Sequence, residues 1–338
     1  MTLGISGYGV AIPRLRIKRE DYAKAWGSFS AAGVNEKAVA GFDEDMLTLA
    51  TKVSQRALES VPLTADKITR FAFASTTPPY TEKLLSGTIL TGLGAPGETY
   101  ATDHISSTRA GTEALLAGFE HLAGNPGGHA LVAAADAPQA SMWDSIEHGM
   151  GAGAAAFVLS GFALLAELEG AASSVSEYFG ERFRPREELQ TRDLNVKKFS
   201  EGSFVTNTTK AASALMKKLG RKPEDYAHVV IQQPDARAPA TVAGKLGFQE
   251  AQLAAGMVSV NLGDLGAAST PLGLAAAFEA SKIGDRILVV SYGSGAGSDA
   301  LSFKTVSDRK PAFTVSKEAA RKEYIDYVQY LKLKGAIR

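Results

Sequence analysis

Apolar and polar positions divide much of the chain into short, almost continuously apolar runs that alternate with longer helical patterns. Runs such as 71–74, 130–135 and 287–290 have the length and composition of fully buried strands. The segments 47–58 and 206–219 place apolar residues at helical spacing. Strands that are apolar on both faces and alternate with helices indicate an α/β protein whose sheets are covered on both sides.

Four of these elements recur in the same order about 159 residues later. The small-residue helix 111–120 is matched by the helix 270–279, and both end in Phe-Glu. Each is followed by a glycine-containing turn and a buried strand, and the helix–strand pair before each also recurs. Such an ordered repeat indicates a duplicated half. We expect five layers, αβαβα, with the small-residue helices packed between two sheets.

The repeat sets the expected domain boundaries. It divides the chain into a first half (1–170), a second half (171–306) and a charged, aromatic tail (307–338). A polar connection between the halves, 172–205, carries Arg182, Arg184 and Arg186. The tail has two interpretations at this point: it packs on its own domain, or it docks a partner.

Composition narrows the function classes. Lys+Arg and Asp+Glu balance at 36 each, so no nucleic-acid partner is indicated. The apolar stretches are shorter than the roughly 20 residues that a membrane span requires. The first residues lack the basic region of a signal peptide, and we therefore expect a cytoplasmic protein. The chain contains no cysteine, so thiolate metal sites and thiol chemistry are excluded; no metal is expected.

Several long motifs occur in a fixed order: GYGVAIPRLRI at 7–17, GFDED at 41–45, Gln-Pro at 233–234 and VSYGSGAGSDA at 290–300. With them the sequence resembles the archaeal-type hydroxymethylglutaryl-CoA (HMG-CoA) synthases over nearly its whole length. The resemblance implies the thiolase fold, in which two duplicated βαβαβαββ-type halves form the five-layer arrangement.

In that family a cysteine at the start of the central helix of the first half attacks the acyl-CoA, in a Cys-x-Ala-Gly-Thr pattern. A helix N-terminus suits this chemistry because it lowers a thiol pKa and its N–H groups stabilise an oxyanion. Here TRAGT at 108–112 puts Thr108 at the nucleophile position, with Ser106 and Ser107 directly before it. The position therefore carries a hydroxyl.

Three further catalytic positions of the family are altered. Its histidine before Gln-Pro corresponds to Gln232, its asparagine after glycine to Asp264, and its acid/base glutamate to Thr76. An amide does not titrate, so Gln232 cannot be a general base. A carboxylate at Asp264 opposes a developing oxyanion. We expect Asp264 to be hydrogen-bonded to Gln232, with Arg109 as its counter-ion.

Gln-Gln at 232–233 and GDLGAAS at 263–269 also resemble a smaller group. These are the HMG-CoA-synthase-like subunits of bacterial acyltransferase complexes, such as the one that acetylates monoacetylphloroglucinol. There a thiolase subunit carries the cysteine, and a small OB-fold zinc-ribbon protein bridges the two. The resemblance implies a non-catalytic structural subunit with a homodimer core and no cofactor, apart from CoA or acyl-CoA as a ligand.

Two alternatives stay open. One is an HMG-CoA synthase-like or acyltransferase-like enzyme with a hydroxyl nucleophile, for which His104 is the nearest candidate base in the sequence. The other is a CoA-binding regulatory subunit that keeps the pocket without the chemistry. The glycines of 293–297 are interpreted as tight turns beside the pocket, since the lysine of a phosphate-binding loop is missing. Asp299 is expected to fix that loop by accepting backbone hydrogen bonds.

Overall fold

The computed structural model describes residues 2–95, 97–176, 182–185, 187–194 and 197–337, with the backbone alone for 197–201. Arg186 of the predicted connection lies outside the described residues. The strands of the first half are β1 (Gly4–Ala11), β2 (Leu15–Lys18), β3 (Glu36–Val39), β4 (Ile68–Ala74), β5 (Tyr100–His104), β6 (His129–Asp136) and β7 (Gly153–Ser160). Its helices are α1 (Arg19–Trp26), α2 (Met46–Glu59), α3 (Leu85–Gly92) and α4 (Ala110–Gly124).

The rest of the chain supplies the remaining elements. Its strands are β8 (Ala166–Val175), β9 (His228–Ile231), β10 (Arg286–Val290), β11 (Gly297–Thr305) and β12 (Glu323–Tyr324). Its helices are α5 (Lys197–Leu219), α6 (Ala238–Leu246), α7 (Glu250–Ala254), α8 (Ser259–Leu262), α9 (Ser269–Ala280), α10 (Val315–Ala320) and α11 (Tyr327–Leu333). Strand β8 runs through residue 170, where the sequence places the boundary between the halves; the division into domains stays a prediction.

Nine strands form one mixed sheet in the order β5-β4-β6-β7-β1-β8-β11-β10-β9. Strand β4 is parallel to β5 and β6, and β9 is parallel to β10, whereas the strands between them pair antiparallel. The two halves are joined where β1 pairs with β8, with Ile5 opposite Ala166. The hydrogen-bonded sheet is therefore continuous across the two halves.

The apolar core separates into layers. The central cluster contains α4 and α9 together with inward-facing residues from strands of both halves. A second cluster packs α2 and α3 on the outer face of the first-half strands, and a third packs α5, α6 and α7 on the outer face of the second-half strands. This is the predicted order of five layers, αβαβα.

Helices α4 and α9 start in close contact at the centre of the molecule. A Cβ on Gly111 of α4 would lie 2.4 Å from the carbonyl oxygen of Ala267, just before α9. Only glycine fits there, because real Cβ atoms do not approach backbone so closely. The small residues that indicated the duplication therefore allow the two halves to bring their helix starts together.

The second half departs from the predicted βαβαβαββ order, which the first half follows. Among its described residues, the sheet contains β8, β9, β10 and β11, and none of them corresponds to β5. The backbone of Asp264 pairs instead with Gly149 and Gly151 of the first half, through N–H···O bonds of 2.7 and 2.8 Å. A loop rather than a strand thus leads into α9, and the two halves are not identical repeats.

The tail packs on the first half. Strand β12 joins β2 and β3 in a small sheet, and Tyr330 of α11 is fully buried with Ile17, Tyr22 and Val39. These contacts agree with the packing interpretation of the tail, and docking of a partner stays a prediction. In the part of the chain that is described, no helix has both the length and the apolar character for a membrane crossing.

Candidate functional site

Thr108 lies where the two halves meet. It follows β5 and precedes α4 by two residues, so its side chain stands at the N-terminal end of that helix. Its hydroxyl donates a 2.7 Å hydrogen bond to the carbonyl oxygen of Tyr292, which follows β10 in the second half. A residue of one half is thus oriented by the backbone of the other.

A cavity of about 530 Å³ opens beside Thr108. Thr108, Gln232 and Asp264 line it together, although they lie far apart in the sequence. Arg182 from the connection and Tyr292 complete this part of the wall. The structure therefore brings three of the predicted site positions into one cavity, while their chemical roles remain predictions.

Gln232 follows β9, and its buried side chain is held at both ends. Its amide nitrogen donates to the carbonyl oxygen of Gly266 at 2.9 Å, and its oxygen accepts from the Thr270 hydroxyl at 2.6 Å. These contacts fix which end of the amide is the donor. The nitrogen carries a second N–H, so Gln232 can donate a hydrogen bond to an acyl oxygen but cannot take up a proton.

Asp264 is buried, and its counter-ion is Arg182. The guanidinium Nη1 lies 2.5 Å from Oδ2, and the backbone N–H of Gly266 donates to Oδ1 at 2.9 Å. The prediction of Arg109 as counter-ion is wrong, because Arg109 pairs with Asp299 and Glu113 instead. The expected bond between Asp264 and Gln232 is replaced by contacts of both side chains with the peptide of Gly266.

The other predicted candidates have different partners. Thr76 donates from its hydroxyl and its backbone N–H to Asp136, at 2.7 and 3.0 Å. The Ser106 hydroxyl donates to Glu113 at 3.1 Å, and Ser107 accepts a long contact from the N–H of Arg109 at 3.4 Å.

His104, the nearest candidate base in the sequence, contacts Thr102 through its ring at 3.3 Å. Burial lowers the pKa of His104, with opposing effects from neighbouring charges. Within the described chain, no hydrogen bond joins His104 to Thr108 or Ser107, and a hydroxyl–histidine pair has no support from the geometry.

Asp299 has a different role from the one expected. Its carboxylate accepts from the hydroxyls of Ser173 and Thr112, at 2.6 and 2.8 Å, and pairs with Arg109. It thereby holds the first turn of α4 through side chains, rather than the glycine loop through backbone groups.

Sequence reasoning missed two contributors to the site. Arg182 appeared only as part of a polar connection, and Asp136 was not singled out. Asp136 is fully buried at the end of β6 and accepts hydrogen bonds from both halves. The available signal was a carboxylate placed directly after an apolar strand, a position that needs donors when buried.

Comparisons with known proteins agree with this architecture. The sequence profile of the 3-oxoacyl-(acyl-carrier-protein) synthase III C-terminal family matches residues 216–304. The HMG-CoA synthase of Methanococcus vannielii is 34% identical over 348 residues, covering 99% of each chain. That of Pyrococcus horikoshii is also 34% identical, covering 98% of this chain and 95% of its own. This chain belongs to the HMG-CoA synthase family.

Solved structures confirm the thiolase-like fold. An HMG-CoA synthase complexed with CoA superposes with a TM-score of 0.87 at 19% identity, covering 98% of this chain and 90% of its own. The 3-oxoacyl-(acyl-carrier-protein) synthase III of Aquifex aeolicus gives 0.81 at 22% identity, covering 89% of this chain and 99% of its own. The predicted fold class and the predicted membership of the HMG-CoA synthase family are therefore confirmed.

The expectation of a non-catalytic structural subunit is wrong. Relatives that are 34% identical over the full length are named as synthases, which are enzymes, and nothing in the comparisons indicates a degenerate subunit of a complex. The four altered positions, Thr108, Gln232, Asp264 and Thr76, therefore have to be explained within a member of the HMG-CoA synthase family. The missing cysteine does not outweigh a similarity that extends over the full length of the chain.

Proposed function

We propose that this chain is an acyltransferase-like enzyme of the HMG-CoA synthase family that accepts an acyl group from acyl-CoA on the Thr108 hydroxyl. One observation carries the proposal: that hydroxyl stands at the N-terminal end of α4, in the wall of a cavity it shares with Gln232 and Asp264. A helix N-terminus offers backbone N–H groups and a positive dipole end, which favour an anionic transition state.

The cavity suits an acyl-CoA. Its volume of about 530 Å³ lies in the range of ligand sites, roughly 300–1,000 Å³. Arg237 is exposed on its wall, and a guanidinium is suited to bind phosphate. Related structures hold such ligands: one HMG-CoA synthase is complexed with CoA, and MvaS with 3-hydroxy-3-methylglutaryl coenzyme A (TM-score 0.85, 20% identity, 98% of this chain and 91% of its own). We infer the same ligand class here.

The proposed first step is a transesterification. The Thr108 oxygen attacks the thioester carbonyl, the C–S bond breaks, and CoA leaves as a thiol with the proton of the hydroxyl. Asp264 is the carboxylate that lines the same cavity and can relay that proton. The second N–H of Gln232 can donate to the oxyanion, and the positive end of the α4 dipole favours the negative charge. The acyl ester then passes to an acceptor carbon or to water.

Mass spectrometry tests this proposal. We expect that incubation with acetyl-CoA, acid quenching and peptide mapping place an acetyl group on Thr108 in the native protein. The Thr108→Val variant keeps the size of the side chain and loses the hydroxyl, so its peptide should stay unmodified. Ser106→Ala and Ser107→Ala should still be acylated. An adduct on a serine, or no adduct with CoA still bound in a calorimetric titration, would contradict the proposal; the second result would favour the CoA-binding regulatory alternative.

The predicted partners belong to the same proposal. We infer a homodimer that associates through the edge strand β5, because Tyr100 of that strand is exposed and β5 has one neighbour in the described sheet. Association with a thiolase and a small OB-fold zinc-ribbon protein, and a location in the cytoplasm, stay predictions. Light scattering of the isolated protein and co-purification from a joint expression test them separately.

A further inference from the structure

Asp136 is a fully buried carboxylate that the proposed acylation step does not use. Within the first half it accepts from the backbone N–H and the hydroxyl of Thr76, at 3.0 and 2.7 Å, and from the hydroxyl of Thr77 at 2.5 Å. Charge-assisted bonds of this kind are short and strong. They anchor the carboxylate firmly to the loop that follows β4.

The same carboxylate reaches into the second half. The backbone N–H of Ala267 donates to its Oδ2 at 2.7 Å, just before α9 begins. Gly266 stands beside it with a φ of 55°, and a Cβ there would lie 2.1 Å from Oδ2. Only glycine allows the loop to come this close to the carboxylate. Asp136 therefore fixes both the position and the backbone conformation of this turn.

The peptide groups of Gly266 connect Asp136 to the site. The carbonyl oxygen of Gly266 receives the amide of Gln232, and its N–H binds the carboxylate of Asp264. A displacement of the turn would therefore move both cavity-lining side chains at once. The contacts run from Asp136 through one turn to two side chains that line the cavity together with Thr108.

A purely structural explanation is weaker. A buried carboxylate is costly unless donors satisfy it, and a well-packed apolar side chain is often equally stable in such a place. In the described chain, the Asp136 carboxylate accepts hydrogen bonds from N–H and hydroxyl groups, several of which belong to loops that carry site residues. A requirement for exact placement of the turn accounts for this arrangement of donors.

We propose that Asp136 is a positioning residue, which sets Gln232 and Asp264 against Thr108 by holding the turn at Gly266 and Ala267. Its effect on acyl transfer rests on the proposed function, whereas its effect on the turn does not. Asp136→Asn is the informative change. Asparagine keeps the shape but offers one acceptor oxygen, and its NH₂ group would face N–H or O–H donors.

Two measurements test the proposal on the full-length protein. The first is hydrogen exchange of the segment 264–268, which needs no activity. We expect the Ala267 amide to exchange at least about tenfold faster in Asp136→Asn, since the donors around residue 136 then share a single acceptor oxygen. The matched control is Glu318→Gln, which alters another buried carboxylate, paired with Arg56 at 2.9 Å in a different part of the fold. Its exchange at Ala267 should match that of the native protein.

The second measurement is the rate of Thr108 acylation at saturating acetyl-CoA. We expect Asp136→Asn to lower it about tenfold or more, with CoA affinity within about twofold of the native value. If Asp136 acts through Asp264, the loss should shrink when Asp264→Asn is already present, because coupled residues are not additive. Unchanged exchange at Ala267, or equal losses with and without Asp264→Asn, would overturn the proposal. If the native protein shows no adduct, the proposed function fails and the exchange result still decides the role of Asp136.

Discussion

The guanidinium of Arg182 and the carboxylate of Asp264 form an ion pair in the cavity wall, with 2.5 Å between Nη1 and Oδ2. The pair joins the connection between the halves to the loop that leads into α9. A lone carboxylate at Asp264 would repel an oxyanion in the cavity, and the positive charge of Arg182 offsets that repulsion. With Arg182 beside it, the negative charge of Asp264 is balanced.

Loss of Arg182 should therefore destabilise the fold. Arg182→Met leaves the Asp264 carboxylate buried beside one backbone donor, and we expect a loss of about 2 kcal/mol in the free energy of unfolding. This loss is smaller than that expected for a fully buried ion pair, because the side chain of Arg182 is partly exposed. The double variant with Asp264→Asn should recover most of it, because the uncompensated charge is gone. Urea denaturation measures both.

The surface pair of Arg192 and Glu188 provides the matched control for Arg182. Both side chains are partly exposed, at 58% and 35%, so Arg192→Met should cost less than about 1 kcal/mol. Equal costs for the Arg182 and Arg192 changes would contradict the interpretation of Arg182 as the counter-ion of a buried carboxylate.

Gly266→Ala should be more harmful than an ordinary change at a positive-φ glycine. The new methyl group would collide with Asp136, and we expect a loss at least about 2 kcal/mol greater than that of the control. Gly94→Ala is that control, because Gly94 has a φ of 69° and open space where the methyl would point; it should cost about 1 kcal/mol. Thermal unfolding measures the loss of stability in both variants. Equal losses for Gly266→Ala and Gly94→Ala would contradict the prediction, because they would mean that the turn can move away from Asp136.

Stability should rise with pH above neutrality. Burial lowers the pKa of Lys37 to about 8, although Glu147 opposes the shift. The unfolded chain keeps this proton up to about pH 10.5, so between about pH 8 and 10 the unfolded state binds more protons than the folded one. The free energy of unfolding therefore increases with pH in this window. Above it, the raised pKa values of buried Tyr22 and Tyr330 act in the opposite direction.

Lys37→Met isolates this contribution. Lys334, whose pKa burial also lowers, is present in both proteins, so part of the rise with pH persists in the variant. We expect a smaller rise in the variant than in the native protein when urea unfolding is measured at several pH values between 8 and 10. Identical slopes would contradict the assignment of the effect to Lys37.

Thr108→Cys should accelerate the proposed acylation. A thiol at a helix N-terminus is partly ionised near neutral pH, and a thiolate is a much better nucleophile than a hydroxyl. We expect the acyl adduct to form at least about tenfold faster in time-resolved mass spectrometry. Ser107→Cys is the neighbouring control and should leave the rate at Thr108 unchanged. A Thr108→Cys protein no faster than the native one would argue that residue 108 does not receive the acyl group.

Much of the architecture could be predicted from the sequence because it depends on local patterns of apolar and small residues. The buried strands, and the small-residue helices α4 and α9, repeat at a nearly constant offset, and long motifs carry the family resemblance. The loop that replaces a strand before α9 could not be predicted, because its backbone pairs with Gly149 and Gly151, more than a hundred residues away. Local spacing contains no signal for that pairing.

The site was predicted in part for the same reason. Motif positions identified Thr108, Gln232 and Asp264, which line one cavity. The predicted counter-ion of Asp264 is wrong. Arg109 is next to Thr108 in the sequence, but its guanidinium pairs with Asp299 and Glu113. Ion pairs between distant loops depend on tertiary packing, and that packing also brings Asp136 beneath the turn at Gly266.

A rapid-mixing experiment tests the central claim most directly: the release of free CoA during the first turnover with acetyl-CoA. An acyl ester on Thr108 should produce a burst of about one CoA per active site, followed by a slower steady rate, because the covalent step precedes transfer of the acyl group. Thr108→Val should show no burst while still binding CoA. A burst of equal size in Thr108→Val, or CoA release in the native protein with no burst and no ester, would contradict the account.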